Sequence, residues 1–177
     1  MDSFAPLYTE RLVLRPPVPR DAATLFELAS SVAVTQYLSW PRHTARQDTL
    51  AFLAYAESEW KRWPAGPLLI ESRIDGTLVG TSGLAFETPH RASTGYALVE
   101  RAWGKGLATE ALRAVASLAG KLGLVRLYAL CHVDHAASAR VLEHAGFECE
   151  GVLRRHTEFP NLNRSDPQDV YCYSRTS

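Results

Sequence analysis

The stretch Arg101-Ala102-Trp103-Gly104-Lys105-Gly106-Leu107-Ala108 has the residue types and spacing that most directly specify chemistry. An extended pattern at residues 94–99 precedes it, and an amphipathic helical pattern at 109–122 follows. The order is therefore strand, glycine loop, helix. Gly104 and Gly106 let the backbone approach a ligand without side chains in the way. The helix start contributes unpaired N–H groups and the positive end of its dipole. Together these form a phosphate site, and Lys105 adds a positive charge to it.

Several phosphate ligands compete for such a loop. A nucleotide P-loop needs G-x-x-x-x-G-K-[ST], and a lysine between the two glycines breaks that spacing. A dinucleotide fingerprint, G-x-G-x-x-G/A, is met by Gly104 and Gly106 but has Thr109 at its third position. Asp134 stands where a ribose-binding acid could lie, which keeps that reading open. Against it, the chain lacks repeated βαβ units. Cys131, His132 and His135 invite a metal reading. The pattern changes from strand to helix between them and no fourth ligand follows, so no metal is expected.

The elements that must position the loop can be read in order. Arg11-Leu12-Val13-Leu14-Arg15 is a short strand, stopped by Pro16, Pro17 and Pro19. Asp21 is placed to cap a helix over 22–30. Thr44 and Gln47 stand at capping-box spacing before a second helix reaching Trp60. Residues 68–73 and 78–86 read as a hairpin around Asp75-Gly76. Gly80 and Gly83 within it suggest a bulge or close backbone approach. Residues 89–92 read as a polar loop. In the helix after the glycine loop, Leu107, Ala111, Leu112, Val115, Leu118, Ala119 and Leu122 line one side, and Gly123 is a natural stop. A strand at 124–131, a helix at 135–145 ended by Gly146, and strands at 147–153 and 169–174 complete the chain. The expected fold is α/β, a mixed sheet with helices on its faces.

At 177 residues one domain spanning 1–177 is expected. A formal net charge of zero gives no electrostatic case for nucleic acid or an anionic membrane. Three widely spaced cysteines suit reduced thiols, and the N-terminus has no apolar signal region, so a cytoplasmic location is expected.

Arg101-x-x-Gly104-x-Gly106-x-Ala108 resembles the acyl-CoA pyrophosphate loop of the GNAT N-acetyltransferases, [QR]-x-x-G-x-[GA]. Thr9-Glu10-Arg11-Leu12-Val13-Leu14-Arg15-Pro16 resembles the first strand of the branch that includes RimJ and RimL. Ala108-Thr109-Glu110-Ala111 is similar to that branch's helix start. Ala137-Ser138-Ala139-Arg140-Val141-Leu142-Glu143, Gly146-Phe147 and Glu150-Gly151-Val152-Leu153-Arg154 resemble its second half. The likeness covers nearly the whole chain. It implies the GNAT fold, with about seven strands and about four helices.

The resemblance also implies acetyl-CoA as cosubstrate and direct attack of an amine on the thioester. Backbone groups from Trp103 through Ala108, including Lys105 and Leu107, would hold the pyrophosphate. Pantetheine would run along Leu98 and Val99 as an added strand. Ser138 matches the serine near the CoA sulfur, and Glu158 lies near the loop glutamate assigned as base. Trp40 and Tyr96 would wall the acceptor pocket. The chain departs from the branch at His135, where Asn is usual and where the imidazole would still hydrogen-bond the cofactor, at Ser93, where Glu is usual, and at Leu142, where other members carry a tyrosine. The implied acceptor is a protein or peptide α-amine, with a small-molecule amine as the alternative. A CoA-binding module with little catalysis is the reading from another class. A monomer or homodimer is expected.

Overall fold

The computed structural model describes residues 4–162 and 164–176. Its centre is β3 (Pro67–Ser72), whose Leu68, Leu69 and Ile70 are each at most 1% exposed. A strand buried on both faces needs a layer on each side, and alternation sorts the side chains between the layers. Leu68 and Ile70 pack with Leu12 and Leu14 of β2 (Leu12–Arg15) and with Ala111, Leu112 and Val115 of α4 (Leu107–Lys121). Leu69 faces the other way, against Leu25 and Leu28 of α1 (Ala22–Ser30) and Leu53 of α3 (Arg46–Arg62). Each such leucine contributes about 1.5–3 kcal/mol of burial.

The remaining elements are β1 (Leu7–Tyr8), α2 (Val32–Thr35), β4 (Leu78–Thr88), β5 (Arg91–Thr94), β6 (Ala97–Leu98), β7 (Arg126–His132), α5 (Ala136–His144), β8 (Glu148–Thr157) and β9 (Gln168–Thr176). The described residues thus form nine strands and five helices, against about seven and four expected. The surplus consists of β1, the four-residue α2 and the division of one expected strand into β5 and β6. The sheet order is β1-β2-β3-β4-β5-β7-β9-β8, with β6 paired to β4. Only β5 and β7 run parallel, joined by the crossover through α4. No helix among the described residues is long and apolar enough to cross a membrane.

Three local expectations need correction. Residues 94–99 do not form one strand. The extended chain starts earlier, at Arg91, inside the expected polar loop, and breaks at Gly95-Tyr96. The Thr44–Gln47 capping box is absent. Asp48 reaches back instead, accepting from the N–H groups of Thr44 (2.9 Å) and Ala45 (3.0 Å). The penultimate strand runs on to Thr157, because a turn of register between Leu153 and Thr157 lets pairing with β9 resume. Gly80 meets its expectation: a Cβ there would lie 2.2 Å from the Ala97 carbonyl, so β6 can approach β4 only at a glycine.

Candidate active site

The glycine loop is shaped by backbone conformation and held from outside. Gly104 and Gly106 have φ of 70° and 75°, the left-handed region that glycine enters without steric cost. The first helical bond of α4 is from Glu110 N–H to the Gly106 carbonyl, at 3.1 Å. The N–H groups of Leu107, Ala108 and Thr109 therefore lack intrahelical acceptors. Among the described residues those of Gly104, Lys105 and Gly106 also find none. The Trp103 N–H, expected among the donors, is engaged with the Glu100 carbonyl at 3.0 Å.

The turn between β1 and β2 braces this loop. Arg11 Nη1 donates to the Lys105 carbonyl (2.9 Å). Glu110 accepts from Thr9 Oγ1 (2.6 Å), Arg11 N (2.8 Å) and Arg11 Nε (2.7 Å). Arg101 ties the preceding turn to β4 through its guanidinium and the Leu78 carbonyl (2.7 Å).

Next to the loop the sheet splits. The parallel ladder of β5 and β7 runs from Arg91 opposite Arg126 to Ser93 opposite Tyr128 and ends there. β7 continues to His132 on β9 alone, while β6 pairs only with β4. Val99 N–H donates to the Val79 carbonyl at 3.0 Å. Antiparallel pairs alternate, so Leu98 turns its N–H and C=O away from β4, toward the split. Trp103 Nε1 takes that carbonyl at 2.8 Å, leaving the Leu98 N–H to face the opening. This is the edge along which pantetheine was expected to lie.

Tyr96, at the break, reaches across to α5. Its Oη lies 2.9 Å from Ser138 Oγ and 3.5 Å from the Ser138 carbonyl. Burial pushes the phenol up to about 12, against a smaller opposing effect of Ser138. Burial likewise raises Cys131, whose thiol donates to the carbonyls of His132 (3.5 Å) and His135 (3.6 Å).

Beyond Ser138 the wall is aromatic. His135, at the N-cap of α5, stacks on Tyr37 at 4.7 Å between ring centroids. His132 contacts Tyr37 at 5.1 Å and meets Phe159 edge-on at 4.8 Å. Burial lowers both imidazoles, which keeps them neutral near pH 7. His132 Nδ1 accepts from Asp134 N–H (3.1 Å), so its proton sits on Nε2, which has no partner among the described residues.

Asn161 joins this wall to the helical side. Its Nδ2 donates to the carbonyls of Thr35 (2.8 Å) and Trp40 (2.9 Å), and its Oδ1 accepts from Arg42 N–H (2.8 Å). Trp40 packs on His43 at 5.5 Å. Glu158 is exposed beside buried Phe159 and makes no hydrogen bond or ion pair among the described residues.

The structure therefore brings Tyr96 and Ser138 together, but neither Trp40 nor Glu158 touches that pair. Tyr37, Phe159 and Asn161 were not singled out from sequence. Tyr37 stands three residues before Trp40, and nothing in the sequence there distinguishes the two. A separate groove of about 690 Å³ lies on the α1 side, next to Val99 and Arg101. It is lined by neither Ser138 nor Tyr96, and its Asp21 and Glu71 are ion-paired with Arg15 (2.8 and 2.5 Å).

A split sheet with a glycine loop at its mouth and a serine across it defines an acyl-CoA-dependent transferase. Residues 11–148 match the acetyltransferase (GNAT) domain family, and the chain belongs to that family. It is an acetyl-CoA-dependent N-acetyltransferase of the RimL-like branch. It is 32% identical to the uncharacterized N-acetyltransferase YoaA of Bacillus subtilis (strain 168), over 97% of this chain and 96% of the relative. The ribosomal L7/L12 α-N-protein acetyltransferase RimL, solved with coenzyme A, is 25% identical with a TM-score of 0.84, covering 95% of both chains. Spermidine N-acetyltransferase from Vibrio cholerae, solved with CoA and spermine, shares the fold at 18% identity and a TM-score of 0.80, covering 95% of this chain and 96% of that one.

Proposed function

We propose that the protein acetylates an N-terminal α-amine of a protein or peptide. The observation that carries this reading is the neutral aromatic wall of Tyr37, His132, His135 and Phe159 beyond Ser138. Only an uncharged amine can attack. An α-amine, with a pKa near ~8, loses its proton far more readily than an alkyl amine near ~10.4. A wall of rings and uncharged imidazoles suits the former. Among the described residues it offers no buried carboxylate to the second ammonium of a polyamine, since the Asp134 side chain near His132 is 64% exposed. The likeness to RimL supports the same acceptor class, and a small-molecule amine remains the second reading, supported by the fold shared with the spermidine enzyme.

In this mechanism acetyl-CoA lies in the split. The N–H groups of Gly104 through Ala108 take the pyrophosphate, and pantetheine pairs with the Leu98 N–H along β6. The amine nitrogen attacks the thioester carbon, and the carbonyl oxygen takes the negative charge. Collapse breaks the C–S bond, and Ser138 Oγ–H gives its proton to the departing thiolate. Glu158, in the loop that carries Phe159, receives the proton lost by the amine.

The test is a panel of peptide and small amines with acetyl-CoA, following thiol release and product mass. Peptides with free α-amines are expected to turn over fastest, and faster turnover of polyamines would replace this reading with the second. Glu158→Gln is expected to lower kcat/KM at pH 7 by roughly tenfold or more, as loss of a general base does. The loss should shrink at pH 9, where the α-amine is already neutral. A loss independent of pH would remove Glu158 from the base role.

A further inference from the structure

Among the described residues, the Tyr96 phenol lies within hydrogen-bond reach of Ser138 Oγ, and the Cys131 thiol interacts with the same hydroxyl electrostatically. Cys131 is unsuited to directing the serine proton. Its proton is directed at the His132 and His135 carbonyls, and burial keeps it a neutral thiol. Tyr96 is different. Its hydroxyl sits 2.9 Å from Ser138 Oγ, and its ring packs against the main core, so it has little freedom to swing away. It also comes from the Gly95-Tyr96 break, the point where β5 and β6 part to open the split. The same break in the chain thus opens the split and aims a hydroxyl across it.

We propose that Tyr96 is a positioning residue for acetyl transfer: its O–H donates to Ser138 Oγ and so leaves the serine's own proton free to point at the departing CoA sulfur. Geometry allows either hydroxyl to donate, and in this proposal the direction is set by what each group must do. A phenol that burial pushes up to about 12 remains protonated throughout the working pH range and has one proton to give. If Ser138 were the donor, its proton would be spent on Tyr96 and none would face the thiolate. During the reaction the proton on Ser138 passes to sulfur as the C–S bond breaks. Tyr96 O–H, already hydrogen-bonded to that oxygen, stabilises the alkoxide character that develops there, and solvent then restores the serine proton. Tyr96 itself ends protonated, so no tyrosinate forms. Position 142, where other members of the superfamily carry a tyrosine, holds Leu142, which is 2% exposed in the core. The phenol available to this site comes from the split itself.

This inference rests on the acetyl-transfer reading, and one experiment separates the two. Tyr96→Phe, Ser138→Ala and the double variant are compared with wild type using acetyl-CoA and the best amine of the panel, with thermal unfolding as the control for folding. Tyr96→Phe is expected to unfold close to wild type, to keep the KM for acetyl-CoA within about twofold, and to lose about tenfold in kcat, the rate equivalent of one hydrogen bond. In the Ser138→Ala background the same substitution is expected to cost nothing further, because the group it acts through is gone. A Tyr96→Phe protein with wild-type kcat overturns the proposal. So does an equal loss in both backgrounds, or a loss confined to KM. Wild-type protein that transfers no acetyl group to any amine overturns the underlying reading, and the inference with it.

Discussion

Gly104 has φ of 70°, and a Cβ built on it meets nothing within 4 Å. Its role is thus conformational and electrostatic, since no packing neighbour requires a missing side chain there. A substitution costs about 1–2 kcal/mol of left-handed strain without a clash, which the fold can absorb. Gly104→Glu adds a carboxylate at the place proposed to hold the pyrophosphate. At an effective dielectric of ~20, like charges 4 Å apart repel by about 4 kcal/mol. Acetyl-CoA affinity is expected to fall on the order of 100-fold or more by calorimetry, while Gly104→Ala keeps most of it. Equal losses for the two variants would show that strain, and not charge, sets the affinity. The glycines were readable because their spacing is itself the chemistry. The tasks of Arg101 and Trp103 were not. Both lie within the motif, yet the Arg101 guanidinium goes to the Leu78 carbonyl and the indole to that of Leu98. A side chain's choice among backbone carbonyls depends on neighbours that only the folded chain supplies. Contacts between distant parts of the chain, such as Tyr96 with Ser138, 42 residues apart, were closed to sequence for the same reason.

The helix that follows the loop is held at its first turn by Glu110. Burial alone would raise this carboxyl, but donors from Thr9 and Arg11 outweigh it and hold the group below the ordinary glutamate range. A lowered carboxylate stabilises the fold fully above its unfolded pKa of ~4.3, and that stabilisation is lost as pH falls through the lower folded value. Glu110→Gln is therefore expected to cost about 1–2 kcal/mol at pH 7. The gap in urea midpoint between variant and wild type should close as the pH is lowered toward ~3. A gap that stays constant with pH would mean that the brace works through shape alone. At this scale the sequence was most informative where one periodicity ran unbroken. Of the face expected for α4, Ala111, Leu112, Val115, Leu118 and Ala119 are buried, and Leu107 and Leu122 at its ends are partly so. It was least informative at the Gly95-Tyr96 break, where apolar alternation continues through a point at which the sheet divides. Residue pattern reports which face is buried. It does not report which neighbouring strand a backbone N–H will choose.

On the proposed reading the whole molecule has a cofactor half, built on β4, β6 and α4, and an acceptor wall assembled from segments far apart in the chain. Tyr37 and Trp40 come from the connection before α3, and Phe159 from the connection between β8 and β9. Asn161 joins these two connections, which lie 121 residues apart at its Trp40 contact. Its amide donates to two carbonyls on one side, and its oxygen accepts the Arg42 N–H. Removing it takes from the fully buried Thr35 one of the two donors to its carbonyl, the Leu38 N–H remaining at 3.0 Å, a cost of about 0.5–1.5 kcal/mol. That cost is confined to the acceptor wall, because no residue bonded to Asn161 belongs to the glycine loop or to β6. Asn161→Ala is therefore expected to raise the KM for the amine several-fold while leaving the KM for acetyl-CoA unchanged. Initial-rate kinetics with each substrate varied in turn measures both. If the acetyl-CoA KM rises alongside, the two halves are mechanically coupled through the split. If neither KM moves, the loop that carries Phe159 and Glu158 does not frame the acceptor, and the amine must enter from another side of Ser138.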